Sequence, residues 1–307
     1  TAVENSKQAF QTWSNTAPAK RAKVMFNMRQ LLIDNADLVA ETISKEHGKT
    51  HDDALGEVTR ALEVVEYACN ITEKGFRRVL SFVKPNVTEY EIEAEFMHEF
   101  LRNRSKKFAY TPIIASGNNA NVLHYVENNQ QCKKGDLILL DVGAEYANYS
   151  SDMTRTIPVS GKFTDRQKAV YNAVNRVKNE ATKMLVPGTD WASYHVEVGK
   201  LMTSELLGLK LLDKADVKNE NPDWPAYKKY FMHGTSHHMG LDTHDYGILT
   251  EPMKANMVFT VEPGIYIPAE GIGIRLEDDV VIQKTGEPFN LMRNIPIEVE
   301  EIEDLMN

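Results

Sequence analysis

Positions Leu55, Val58, Leu62, Val65, Cys69, Thr72, Phe76, Val79 and Val83 recur at alternating intervals of three and four. That spacing is one face of an amphipathic helix. It predicts a helix of about 30 residues, roughly 45 Å long, starting near Asp52 and ending before Pro85-Asn86. Upstream, Val24, Met28, Leu31 and Leu32 share a face of a helix predicted over 18–35. Residues 37–47 read as a second helix, stopped by Gly48.

Beyond Pro85 the pattern breaks into shorter elements. Thr88-Glu-Tyr-Glu91 is a capping box that opens a helix with Ile92, Phe96 and Phe100 on one face. After the loop 112–120, Gly135-Asp136 turns the chain into the apolar strand Leu137-Ile-Leu-Leu-Asp141. A turn over 145–149 leads to a returning strand at 152–157. Thr164 and Gln167 form a second capping box, for a helix reaching about Leu185. A further helix is expected over 191–207, and 212–227 is polar and irregular. The rest reads as strands, at 257–262, at 271–282 and near Phe289. Helices followed by antiparallel strands thus occur twice. This argues for an α+β class with two similar halves rather than an alternating parallel α/β fold, although no sequence repeat is visible.

The length, 307 residues, suits one large domain or two modest ones. A net charge of −9 argues against nucleic-acid or anionic-membrane partners. Cys69 and Cys132 form neither a CxxC motif nor a disulfide framework, which fits a reducing compartment. No apolar run is long enough to span a membrane, and the N-terminus lacks the apolar core of a signal peptide. A cytoplasmic protein is the expectation.

Chemistry concentrates in 231–245, which holds four of the nine histidines: His233, His237, His238 and His244. Crowded imidazoles suit metal ligation or substrate polarisation. Taken alone, the stretch also reads as a polar loop with incidental histidines. Four carboxylates in strand contexts shift the balance. Asp141 and Asp152 lie on consecutive strands and, by parity, on one face. Asp141 ends an apolar run, and a buried carboxylate demands a partner. Glu262 precedes Pro263-Gly264, and Glu277 follows Arg275 by two residues, so an Arg275–Glu277 ion pair is the plain alternative there. Together with one histidine these carboxylates supply enough ligands for two divalent ions. Oxygen-rich ligation favours manganese or cobalt over a thiolate-type zinc site. Two such ions can turn water into hydroxide near neutral pH, which is hydrolytic chemistry.

Two resemblances follow from longer motifs. Trp13-Ser-Asn-Thr16, Lys20-Arg-Ala22, Glu46-His-Gly-Lys-Thr50, Gly56-Glu-Val-Thr-Arg60 and Glu63-Val-Val-Glu-Tyr-Ala68 resemble an N-terminal helical piece of aldehyde dehydrogenases, of the methylmalonate-semialdehyde type. No Gly-rich dinucleotide turn and no nucleophile context for either cysteine follows, so no oxidoreductase activity is expected. From about residue 70 onward the resemblance is to aminopeptidase P, the Xaa-Pro aminopeptidases of pita-bread fold. It is carried by Asp141-Val-Gly-Ala-Glu-Tyr146, Ser151-Asp-Met-Thr-Arg-Thr156, His233-Gly-Thr-Ser-His-His-Met-Gly-Leu-Asp-Thr-His-Asp245, Val261-Glu-Pro-Gly-Ile-Tyr266 and Gly273-Ile-Arg-Leu-Glu-Asp-Asp279.

This second resemblance implies metal ligands at Asp141, Asp152, His237, Glu262 and Glu277. It makes Glu262 the partner of the nucleophilic water and gives His124 and His244 contacts to substrate or transition state. His233 and Arg275 match supporting positions, and His238 is a spacer. It implies two divalent ions, manganese first, with cobalt, zinc and iron(II) as alternatives. The implied substrate is a peptide with a free N-terminus and proline second, and a homo-oligomer is open. Prolidase and methionine aminopeptidase share the ligand set, and a non-catalytic binding protein of the same fold is a further alternative. Full-length bacterial members carry a separate N-terminal domain that this chain replaces with the dehydrogenase-like helices. The expected division is a helical segment, 1–70, and a catalytic domain, 71–307.

Overall fold

The computed structural model describes residues 51–307 together with Glu41, Ser44, Lys45, Gly48 and Thr50, and for 51–66 it describes the backbone alone. The helix expected over 18–35, and most of that over 37–47, lie outside the described residues. The chain divides into two compact units, and the larger one comprises 65–244 and 248–307.

Helix α1 (His51–Phe82) runs unbroken for 32 residues, as the alternating spacing requires. On it Cys69, Thr72, Phe76 and Val79 are buried. Gly75 lies mid-helix because a Cβ there would meet Phe96 at 2.8 Å and Phe100 at 2.9 Å. Those rings belong to α2 (Glu89–Arg102), whose capping box at Thr88 and Glu91 is formed.

Strands β1 (Ile113–Ser116), β2 (Leu137–Val142) and β5 (Met153–Pro158) make an antiparallel sheet in the order β1-β2-β5. Between β2 and β5 the chain extends into a ribbon, β3 (Glu145–Tyr146) and β4 (Tyr149–Ser150). Its two turn residues, Ala147 and Asn148, have φ of 52° and 69°, as a tight hairpin with matching twist demands. Helices α3 (Asp165–Lys183), α4 (Trp191–Gly208) and the short α5 (Lys214–Lys218) follow. The second strand set contains β6 (Val258–Val261), β7 (Gly264–Ile267), β8 (Ile272–Arg275), β9 (Asp278–Val281) and β10 (Phe289–Asn290). Its sheet order is β10-β9-β6, with β7 and β8 paired as a ribbon.

Both strand sets are long hairpins broken at one place without loss of register. In the first, Val142 pairs with Met153, and past the break Glu145 pairs with Ser150. In the second, Val261 pairs with Asp278, and past the break Gly264 pairs with Arg275. Each break therefore spends two residues on each strand. This shared device is the structural trace of the two similar halves, and it appears although the sequences of the halves do not repeat.

Four elements depart from the sequence expectation. Strand β1 lies within the stretch 112–120 read as a loop, and α5 within the polar stretch 212–227. Strand β7 follows directly on Pro263, between the strands expected at 257–262 and 271–282. The end of the chain is a helix, α6 (Val299–Met306), rather than part of a strand region. Val299 and Ile302 are buried against the main core and Met306 packs on it, a two-turn stripe too short to stand out. Among the described residues no helix is long and apolar enough to cross a membrane.

Candidate metal centre

The two hairpin breaks carry acidic residues. Asp141 pairs with Thr154, so Asp152, two residues before Thr154, projects from the same face. Asp152 stands opposite Gly143, where a Cβ would lie 1.7 Å from the Ser151 carbonyl oxygen. Only glycine lets the strands approach that closely. By the same register, Glu262 stands opposite Glu277 across the second break. The two hairpins meet there, because the Glu277 amide donates to the Thr154 carbonyl at 3.0 Å and the Thr154 hydroxyl donates to Glu277 Oε2 at 2.6 Å.

His237 completes the group. One ligating atom each from Asp152, His237 and Glu277 lie within 4.8 Å of one another. His237 Nε2 is 3.4 Å from Asp152 Oδ2 and 3.6 Å from Glu262 Oε1. Its Nδ1 lies 3.0 Å from the His238 carbonyl, which can only accept, so Nδ1 carries the proton. Nε2 faces the carboxylates. Burial opposes its protonation, but Asp152 and Glu262 outweigh burial and raise the His237 pKa to about 9, so without metal the ring is charged. A bound ion would take the place of the Nε2 proton, the arrangement a ligating histidine needs. The backbone fixes this pose: His237 N donates to Thr260 Oγ1 at 3.1 Å, and Thr260 N donates to the His237 carbonyl at 3.1 Å.

Such a cluster repels itself. Burial, followed by repulsion from Asp152, Glu262 and Asp141, pushes the Glu277 carboxyl well above the usual range. Burial raises Glu262 to about 7, against the pull of His237 and Arg275. Burial also raises Asp141, opposed by Arg275 and reinforced by Asp152. Divalent cations would relieve this strain, and oxygen donors with one imidazole fit them. Asp152, His237 and Glu277 are thus placed to hold a metal ion, with Glu262 beside His237 and Asp141 joined to Asp152 through the Tyr110 hydroxyl.

A pH effect follows. An acid whose folded pKa is raised favours the fold below its ordinary pKa and loses that contribution as pH rises through the raised value. For Glu262 the window runs from the ordinary 4.5 up to about 7. The Glu262 contribution to the melting temperature of metal-free protein should therefore be lost across that window, against the opposite contributions of the neutral His233 and His238, while manganese should add more to Tm at its upper end. Calorimetric scans with and without Mn²⁺ check this, and a metal increment that shrinks with rising pH would contradict it.

The Arg275–Glu277 ion pair, the plain alternative from sequence, does not form. The Arg275 guanidinium instead donates to Asp141 Oδ2, to the Tyr266 hydroxyl at 2.9 Å and to Thr154 Oγ1 at 3.2 Å. Both Arg275 and Glu277 therefore use Thr154, and Arg275 holds a carboxylate from the other hairpin.

His233 is kept neutral, its pKa lowered to about 3 by burial and by the Arg275 charge. Its Nδ1 donates to the Gly234 carbonyl at 2.8 Å, so Nε2 accepts from the Tyr266 hydroxyl at 2.8 Å. His244 is exposed and packs tilted against His237, ring centroids 4.1 Å apart at an interplanar angle of 59°. His124 is exposed too, and its charge bears on both His233 and His244. His238 turns away and stacks on Trp191, and burial lowers its pKa to about 4. It packs, as a spacer should.

The sequence did not single out Tyr110. Its hydroxyl lies 2.5 Å from both Asp141 Oδ1 and Asp152 Oδ1. No periodicity or local motif marks a tyrosine before Thr111-Pro112, since both partners lie 30 or more residues away. Tyr110→Phe should weaken manganese binding by about 10- to 100-fold, the usual cost of losing a hydrogen bond to a ligand. Equilibrium metal titration measures it, and unchanged affinity would assign the hydroxyl no part in orienting the aspartates.

Comparison with known proteins accords with this geometry. The sequence profile of metallopeptidase family M24 matches residues 63–284. The aldehyde dehydrogenase family profile matches residues 1–94, so the dehydrogenase-like stretch extends past residue 68 and overlaps the peptidase match. The Xaa-Pro aminopeptidase of Escherichia coli K12 is 39% identical over 268 residues, covering 83% of this chain and 60% of that protein. That of Haemophilus influenzae is 38% identical, covering 80% of this chain and 59% of its own. The chain thus spans about three fifths of the length of these relatives. The structure of E. coli aminopeptidase P with the inhibitor Pro-Leu superposes with a TM-score of 0.75 at 38% identity, covering 80% of this chain and 58% of that one. The architecture from 65 onward is accordingly the pita-bread fold of those enzymes. Because the M24 profile covers most of its length, the chain belongs to metallopeptidase family M24.

Proposed function

We propose that this chain is a dinuclear metal-dependent aminopeptidase that hydrolyses the bond between an N-terminal residue and a following proline. The observation that carries this reading is the convergence of Asp152, His237 and Glu277 on one spot, with Glu262 beside His237 and Asp141 tied to Asp152 through Tyr110. The Xaa-Pro aminopeptidases among its relatives support the substrate class.

When bound, two divalent ions supply a nucleophile from water at neutral pH and polarise the scissile carbonyl. We favour manganese, with cobalt, zinc and iron(II) as alternatives. The E. coli relative has been described in a zinc-substituted form with product.

The chain's own groups do the rest. Glu262, 3.6 Å from His237, is placed to accept and return a proton. His244 and His124, at the open edge, donate hydrogen bonds to the oxygen that gains charge. Arg275 holds Asp141 in place, and His233 supports the site without adding charge. The carboxylates attract the free α-amine of the substrate.

The reading also divides the chain into a helical segment, 1–70, apart from the chemistry, and a catalytic domain, 71–307. A reducing cytoplasm suits Cys132, whose buried thiol is pushed up to about 12.

The test is a panel of peptides with added manganese. Cleavage of Xaa-Pro peptides longer than two residues supports the proposal. Preference for Xaa-Pro dipeptides would indicate a prolidase, and preference for Met-Ala peptides a methionine aminopeptidase. Tight metal binding with no cleavage would indicate a binding protein.

A further inference from the structure

Glu89 is a fully buried carboxylate far from the metal ligands in sequence, and no step above uses it. Its Oε1 accepts from the Ser116 amide at 2.8 Å, the Ser116 hydroxyl at 2.7 Å and Asn119 Nδ2 at 3.1 Å. Its Oε2 accepts from the Tyr125 hydroxyl at 2.8 Å and the Gln130 amide at 2.9 Å. The four partners span one loop, from its first residue to its last, and His124 lies inside it.

Other contacts draw the same loop inward. Glu93, one turn further along α2, accepts from Asn128 Nδ2 at 2.9 Å. Asn128 also accepts from the Ile114 amide at 3.0 Å and donates to the Pro112 carbonyl at 3.0 Å. Tyr125 packs in a small apolar cluster with Tyr266, the residue that joins Arg275 to His233. At Gly273, on β8, a Cβ would lie 2.3 Å from the Ala120 carbonyl oxygen, so the loop sits directly on the strand leading to Arg275.

We infer that Glu89 is a positioning residue. Its carboxylate closes the loop 116–130 around itself and so sets where the exposed His124 ring stands against the substrate. The physical case is one of stoichiometry. Five donors converge on two carboxylate oxygens, and no neutral side chain of that size offers so many acceptor sites. The first turn of α2, where Glu89 stands, also favours a negative charge. The role given to His124 rests on the peptidase reading above. The anchoring of the loop does not.

The experiment combines two readouts on the full-length, manganese-loaded protein. Glu89→Gln keeps the volume but puts an NH₂ where one oxygen was. Whichever way the amide turns, the backbone N–H of Ser116 or of Gln130 loses its acceptor. Amide exchange at one of those two positions should quicken by about 10- to 100-fold, as expected for losing a hydrogen bond to a charged group. Manganese affinity should stay unchanged, and kcat on an Xaa-Pro peptide should fall by about 100-fold, the scale of a misplaced catalytic group.

The decisive comparison is the double-mutant cycle with His124→Ala. If Glu89 acts through His124, the kcat penalty of Glu89→Gln disappears in the His124→Ala background. Should Glu89→Gln fail to fold, Tyr125→Phe removes a single donor, the one beside His124, and must show the same loss of penalty. Unchanged exchange at Ser116 and Gln130, or equal kcat penalties in both backgrounds, overturns the inference. A wild-type protein that cleaves no peptide would refute the peptidase reading instead, while the exchange comparison would still decide the anchor.

Discussion

Glu277→Gln should abolish hydrolysis, with kcat lowered by more than about 10³-fold, beyond the loss expected for one transition-state donor. The substitution keeps volume and shape. It deletes the one charge that faces Asp141, Asp152 and Glu262 together. Metal content should fall with activity, because one of four negative charges is gone. The fold should not suffer. Burial and repulsion already hold the Glu277 carboxyl far above its ordinary pKa in the metal-free state, so the neutral amide imitates the protonated acid. Metal-free Tm should stay the same or rise slightly. Metal analysis, kinetics and calorimetry on one preparation separate these effects. Near-normal turnover with full metal content would remove Glu277 from the ligand set.

His244→Ala should give a different signature. His244 packs tilted against His237 but is exposed, and burial with the neighbouring His237 charge lowers its pKa. It is therefore neutral at working pH and can donate one hydrogen bond into the site. Its loss should cost about 10²–10³ in kcat, as for other oxyanion donors, while metal content stays at the wild-type level. Loss of a stoichiometric metal ion in this variant would make His244 a ligand instead.

The difference between the two variants mirrors what could be read from sequence. Candidate ligand positions stand at or near strand ends, where an apolar run meets a carboxylate, as at Leu140-Asp141 and Val261-Glu262. Local pattern suffices there, as it does for the capping boxes at Thr88 and Thr164 and for the stripe of α1. Parity along the strands placed Asp141 and Asp152 on one face correctly, although the connection holds an extra ribbon, because that ribbon keeps the register.

What the sequence hid depends on contacts between the halves. Arg275 has an acid two residues away, and local reasoning pairs them. In the fold Arg275 reaches Asp141, because Thr154 stands between it and Glu277 and satisfies both. Tyr110, Tyr266 and Glu89 are equally silent in sequence. Each takes its role from partners distant in sequence that only the fold brings near. Strand β7 was masked by Pro263-Gly264, whose turn character is real but serves the break in the hairpin rather than its end. Helix α6 was masked by its acidity and its two-turn length.

The central claim is that the converged carboxylates and His237 form one two-ion hydrolytic site. Its most direct test is a titration of metal-free protein with manganese, following bound metal and Xaa-Pro peptide cleavage in the same samples. Two ions should bind per chain, and cleavage should rise with their binding and vanish on chelation. Cleavage that persists in metal-free protein, or a chain saturated with two ions that cleaves no peptide, would contradict it.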